Sequence, residues 1–365
     1  MGVRALQRPY SPFSDSHMFR SFIRSAAALC ALSAIVACGS DDTVAPINTS
    51  TGTITVDASQ AFAYIRLGEE AQIVNVSDPS ASTAWDLGFL ATTVTANGGS
   101  AGPGDVTIHC LCANAGATTA EIQGFTADNQ LAAFDAVTAA QIPAESQFRG
   151  DSLSPAISGW FTGSGAQATA NTSRSWIVRR GSATVTLGKL RVTSLQNVSA
   201  QNAGVIAFEY AVQPTPDAPF GQVVQASVDV RNGPVYFDLT SGTTSSASGA
   251  WDLRFSGFEI RSNGGVSGSG NVMAVPDNNT PFASIDAAYA GTAPVVAYKR
   301  DAYSGVFNSQ PWYQYNITGT DNQIWPLFNV YLVKRGSEVY KVQLTSYYST
   351  AGTSRQITVR YARLQ

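Results

Sequence analysis

Residues 85–104 read Trp85-Asp86-Leu87-Gly88-Phe89-Leu90-Ala91-Thr92-Thr93-Val94-Thr95-Ala96-Asn97-Gly98-Gly99-Ser100-Ala101-Gly102-Pro103-Gly104. Residues 251–270 read Trp251-Asp252-Leu253-Arg254-Phe255-Ser256-Gly257-Phe258-Glu259-Ile260-Arg261-Ser262-Asn263-Gly264-Gly265-Val266-Ser267-Gly268-Ser269-Gly270. Nine of the twenty positions are identical without a gap: the Trp, Asp, Leu, Phe, Asn and four Gly. Chance at ordinary composition gives roughly one or two. Both stretches alternate large apolar with other residues, the period of a half-buried strand, and both run into Asn-Gly, a turn dipeptide at which both residues tolerate positive φ. The Gly-rich runs that follow, 98–104 and 264–270, read as hairpin loops. They lack the Lys-Ser/Thr of a phosphate loop and lead into no helix.

The likeness extends outward in constant order. An Ala-rich segment follows in each copy, Asp128 to Ala140 and Asp277 to Ala290. Leu131, Phe134 and Val137 are spaced for one helical face, which predicts one short helix per copy. Then come Phe148-Arg149-Gly150-Asp151 and Tyr298-Lys299-Arg300-Asp301, and the aromatic pairs Trp160-Phe161 and Trp312-Tyr313. Trp176 to Gly181 matches Tyr331 to Gly336, Lys189 to Ser194 matches Lys341 to Ser346, and Val205 to Tyr210 matches Gln356 to Tyr361. A whole domain is duplicated. The fold class that follows is all-β: two tandem antiparallel, sandwich-like domains, each with one short inserted helix. The expected limits are 53–212 and 223–365, joined by a Pro-rich linker, 213–222, which reads as an extended spacer.

The N-terminus reads as an address. Arg20 and Arg24 precede a nearly uncharged apolar stretch, Ser25 to Val36, which ends in Ile35-Val36-Ala37-Cys38. About a dozen apolar residues are too few for a bilayer span, which needs about 20, so 1–37 is expected to be a signal peptide. A small residue before a cysteine makes Cys38 the expected lipidation site, and the polar run 38–52 the tether behind the lipid. The expected location is the cell envelope, at the outer membrane or cell surface. Without Arg4, Arg8, Arg20, Arg24 and Asp15, the chain keeps 18 basic and 24 acidic residues, a net charge near −6. With no basic cluster, nucleic acid is not an expected partner.

The order of these elements resembles the HmuY family of haem-binding bacterial lipoproteins. The resemblance is carried by Trp251, Asp252, Phe255, Ile260, Asn263, Gly264 and Gly265, then by Tyr331, Val333, Lys334, Lys341, Gln343 and Tyr361, with the first copy matching less closely. It implies two HmuY-like domains and a non-enzymatic outer-membrane lipoprotein of iron acquisition. Such a protein would bind haem or a related porphyrin through two axial His or Met side chains and pass it to an outer-membrane receptor. Past the signal segment the chain offers one histidine, His109, and one methionine, Met273. They follow the Gly-rich loops of different copies, so one haem held by both would be clamped between the domains. Cys110 and Cys112 are the thiolate alternatives.

Each candidate has a plainer reading. His109, Cys110 and Cys112 alternate along a strand, so the three rarely meet one ion, and the cysteines could simply be packed or oxidised. Trp85-Asp86 and Trp251-Asp252, with Asn97-Gly98 and Asn263-Gly264, read as structural signatures, the Asp accepting from nearby amides. Trp312, Tyr313, Tyr315, Trp325, Tyr347 and Tyr348 could pack a core or stack on a ligand. They support the alternative function, a surface interaction module that binds glycan or protein and has lost haem. No catalytic signature can be assembled around one histidine, and an enzyme is not expected.

Overall fold

The computed structural model describes residues 50–365, so the signal segment, Cys38 and most of the tether lie outside the described residues. Two β-sandwiches dominate. The first has a five-stranded sheet in the order Gly52–Asp57, Ser354–Arg363, Glu338–Tyr348, Val330–Arg335, Val106–Cys110. It faces a four-stranded sheet of Gln72–Val74, Ala63–Arg66, Leu87–Leu90 and Thr93–Ala96. The second repeats the plan. Its five-stranded sheet runs Val224–Asp229, Val205–Val212, Thr186–Gln196, Ser175–Arg180, Met273–Asp277, and its four-stranded sheet is Thr243–Ser245, Val235–Asp238, Leu253–Ser256, Glu259–Ser262. All these pairings are antiparallel.

The sandwiches do not coincide with the sequence repeats. The first core joins Val56, Ile65, Leu87, Phe89 and Ile108 from the first copy to Trp312, Tyr331, Val342, Leu344 and Val359 from the second. The second core joins Trp160, Trp176, Leu190 and Phe208 from the first copy to Phe237, Leu253, Phe255 and Ile260 from the second. Each copy gives its first half to one core and its second half to the other. The crossings are the equivalent strands Ser152–Ser154 and Ala302–Ser304, which pair with each other, Leu153 opposite Tyr303.

The exchange recasts the Pro-rich segment 213–222. Strands Val205–Val212 and Val224–Asp229 are neighbours in register, Val205 opposite Asp229 and Tyr210 opposite Val224. The segment is therefore a loop within one sheet rather than a spacer between domains, and it is held as one: Gln213 accepts from Leu187 N–H and donates to Ala218 C=O, at 2.7 and 2.8 Å.

Two further expectations are corrected. The Ala-rich segments and their flanks form broken helical turns: Leu131–Asp135 and Ala139–Gln141, flanked by Thr119–Gly124 and Glu145–Gln147, in the first copy, and Phe282–Ser284 and Ala287–Gly291, followed by Val295–Ala297, in the second. Asn129 and Thr126 bond each other's backbone, and Pro143, Pro281 and Pro294 lack the donor a longer helix needs. Phe134 and Val137 are buried while Leu131 stays exposed. The Gly-rich runs are likewise not hairpin loops. Each leads from a strand of the four-stranded sheet to one of the five-stranded sheet, and the positive φ falls on Gly99 and Gly265. The hairpins lie just upstream, at Leu87–Leu90/Thr93–Ala96 and Leu253–Ser256/Glu259–Ser262. Gly98 and Gly264 are needed for another reason: a Cβ there would sit 2.0 and 2.1 Å from the carbonyl oxygens of Val106 and Val272.

Candidate functional site

The duplicated Trp-Asp pairs sit where the exchanged halves meet. Asp86 is fully buried; it accepts from Leu67 N–H at 2.7 Å and pairs with Arg335 of the other copy. Asp252 accepts from Leu239 N–H at 2.9 Å and from Arg180 Nε, again of the other copy, at 2.9 Å. Trp85 is buried and Trp251 half-buried. Asn97 donates to Trp85 C=O and accepts from Gly104 N–H; Asn263 repeats this with Trp251 and Gly270. These side chains are committed to closing loops and pairing charges.

His109 and Met273 lie on edge strands of the two different five-stranded sheets, each on the outer face beneath helical turns. His109 Nδ1 is 3.3 Å from Gln147 C=O and its ring lies 5.9 Å from Phe148. Met273 packs with Ile177, Ile285, Ala290 and Tyr298. Their neighbours are different residues of different cores, so no clamp joins the two side chains. Cys110 and Cys112 are bonded to each other as a disulfide, Cα atoms 5.1 Å apart, which removes both as thiolate ligands. Among the described residues no group of three or more His, Cys, Asp or Glu could hold a metal ion.

Met273 does line a cleft. About 520 Å³ is bounded by Ser154, Pro155, Ala156, Met273, Tyr298, Lys299, Arg300 and Ala302, where the crossing strands pass between the cores. This is the size of a small-molecule site, about 300–1,000 Å³. Burial pushes the Tyr298 phenol up, which keeps it neutral, and exposed Lys299 and Arg300 stand at the edge. A neutral thioether, a neutral phenol and two exposed cations meet at this cleft.

The expected aromatic group is divided. Trp312 is buried, donating to Thr92 C=O at 3.0 Å, and Tyr347 packs with it. Tyr313 and Trp325 are half-buried on the small hairpin Tyr313–Tyr315/Ile324–Pro326, and Tyr348 accepts from Ile324 N–H. Only Tyr315 of the six is open to solvent, at 57%.

Sequence reasoning missed the two crossing carboxylates. Asp301 accepts from Ala156 N–H and from both the N–H and hydroxyl of Ser262, while Asp151 accepts from Ala96 N–H at 2.9 Å. Their only signal was recurrence at the same place in both copies. Burial raises Asp151 to about 6. The folded protein therefore holds this proton more tightly than the unfolded chain, whose Asp ionises near 4. The contribution of Asp151 to stability is fully present below the unfolded value and is lost as pH rises through the folded one, about 3 kcal/mol in total. Asp151→Asn should flatten this part of the stability curve. Urea unfolding at pH 4 and at pH 7.5 checks it; an unchanged difference between the two pH values would show that Asp151 does not carry the effect.

The family model for the HmuY protein matches residues 58–210 and 231–361. The chain belongs to the HmuY family and carries the family's domain twice in tandem, as the repeat implied. Two solved structures are similar in parts. One, from Bacteroides vulgatus and described as a HmuY-like heme binding protein, is 13% identical over 86% of this chain and 92% of its own, with a TM-score of 0.32. The other, from Bacteroides fragilis and described as a lipoprotein, is 16% identical over 35% of this chain and 80% of its own, with a TM-score of 0.15. No curated protein matches the chain.

Proposed function

We propose that this chain is a non-enzymatic, lipid-anchored protein of the bacterial envelope that binds haem or a related porphyrin at the Met273 cleft. The observation that carries the reading is the placement of the chain's one methionine past the signal segment in a cleft of ligand size, in a protein of the HmuY family. Met273 would supply a neutral axial sulfur, and Lys299 and Arg300 would meet the propionates. Bound haem would supply an iron centre with its own absorbance. This chain's residues only hold it. His109, on the other core, is not in this cleft and is expected to contribute nothing to affinity. Transfer to an outer-membrane receptor belongs to the same proposal.

Titrating the purified protein with haemin should give a saturable Soret shift. Met273→Ala should weaken binding at least tenfold and change the spectrum, and His109→Ala should do neither. Undiminished affinity in Met273→Ala, or no Soret shift at all, would overturn the site. The anchor is tested by fractionation: Cys38→Ser should move the protein from the membrane to the soluble fraction, and continued membrane association would rule out the lipid at Cys38. The alternative, a glycan- or protein-binding module, is favoured by exposed Tyr315 on its hairpin. It becomes the better reading if haemin does not bind and Tyr315→Ala abolishes binding on a glycan array.

A further inference from the structure

The two copies place an equivalent buried lysine in unequal surroundings. In the first core Lys341 Nζ donates to the carbonyl oxygens of Phe134, Asp135 and Val137, at 2.9, 3.3 and 3.0 Å, and lies 4.5 Å from the centre of the Phe134 ring. Its three N–H groups thus cap the end of helix Leu131–Asp135. In the second core Lys189 lies at the same 4.5 Å from the Phe282 ring, but its Nζ makes one hydrogen bond, to Phe282 C=O at 2.9 Å. The cause is local. Pro281 and Asp286 divide this segment into a single 3-10 turn, Phe282–Ser284, and a separate helix that starts at Ala287, so the further carbonyls do not converge on the ammonium. Lys189 is only 5% exposed, and its other two N–H groups lack the carbonyl acceptors that Lys341 has.

What lies beside Lys189 is a cavity of about 860 Å³. Its walls are apolar: Leu187, Pro219, Phe220, Val223 and Ile285. The loop 213–223 forms one side, at the point where the chain passes from one copy to the next. Two acids also line it. Asp217 is exposed, and Asp286 has an oxygen engaged by Tyr289 N–H at 2.7 Å as the cap of its helix. Lys189 is the one cation of the lining; Glu209, which also acts on its ammonium, is paired with Arg191, and the two acids that line the cavity disfavour a polyanion.

We infer that this cavity is a binding site for an amphiphilic monocarboxylate, its head on the Lys189 ammonium and its apolar tail along Leu187, Phe220, Val223 and Ile285. A carboxylate supplies acceptors for the two N–H groups that helix carbonyls fill in the other core, and such charge-assisted bonds are the stronger kind. The tail covers apolar surface that the loop 213–223 leaves open. No axial ligand for a haem iron lines this cavity, so the inference is independent of the Met273 cleft.

The test is isothermal titration of the purified full chain with dodecanoate and with dodecanol. Dodecanoate should bind saturably at one per chain, at least tenfold more tightly than the alcohol. Lys189→Met should remove that preference, leaving acid and alcohol alike. Ala288→Trp, which fills the cavity from its exposed helix without touching the lysine, should abolish binding with the circular dichroism spectrum unchanged. It keeps the test decisive if Lys189→Met does not fold. Equal affinity for acid and alcohol in the unmodified protein, no binding of dodecanoate, or full binding by Ala288→Trp would each overturn the inference.

Discussion

Cleaving the chain between its two sequence repeats should not separate them. A protease site placed within residues 214–219 falls in an exposed loop between two paired strands, and neither core loses a buried residue by the cut. After cleavage each fragment still supplies half of each sandwich. Strand Val106–Cys110 of the first fragment pairs with Val330–Arg335 of the second, and Ser175–Arg180 of the first with Met273–Asp277 of the second. Separating the fragments would expose both apolar cores, at about 25 cal/mol for each Å² of apolar surface. The nicked protein should run as one species in size-exclusion chromatography and as two bands on a denaturing gel. Two species eluting separately under native conditions would mean that each repeat closes on itself.

The second large effect is expected at Arg335. Its guanidinium pairs with Asp86, which has no exposed surface, and with Glu338. Asp86 belongs to the first copy and Arg335 to the second, so the pair ties the exchanged halves together. Removing one partner of a buried pair leaves the other charge without compensation and typically costs 3–5 kcal/mol, so Arg335→Ala should lower the unfolding free energy by about 3 kcal/mol or more. Adding Asp86→Asn should recover part of the loss, because the stranded charge is gone. Arg231→Ala, which breaks a solvent-exposed pair with Asp229, should change nothing measurable. Urea denaturation of the three variants beside the unmodified protein reads all of this. Equal stability of Arg335→Ala and the unmodified protein would show that this pair does not tie the halves together.

The candidate ligand residues were legible only as residue types. Past Cys38, one His, one Met and two Cys follow from counting, but a count does not show that the cysteines bond to each other, that His109 rests against Phe148, or that Met273 lines a cleft. Lys189 and Lys341 look alike in the sequence, in Lys189-Leu190-Arg191 and Lys341-Val342-Gln343. Their difference lies in how a segment roughly ninety residues away from the first and two hundred from the second ends its helical turn. Long-range geometry of that kind has no local period.

What the sequence determined by itself was the duplication, the all-β class and the family. Period-two alternation at Trp85–Phe89, at Trp251–Phe255 and in the closing strands fixes which face of each strand is buried, and that is a local property. The tertiary structure alone decided which copy's strands pair. The copies present equivalent strands, so Val106–Cys110 has an acceptable partner in Ser175–Arg180 of its own copy and in Val330–Arg335 of the other, and side-chain pattern cannot tell them apart. The choice falls to the crossing strands Ser152–Ser154 and Ala302–Ser304. They pair with each other and carry each chain half into the opposite core, with Asp151 and Asp301 buried at the points of crossing.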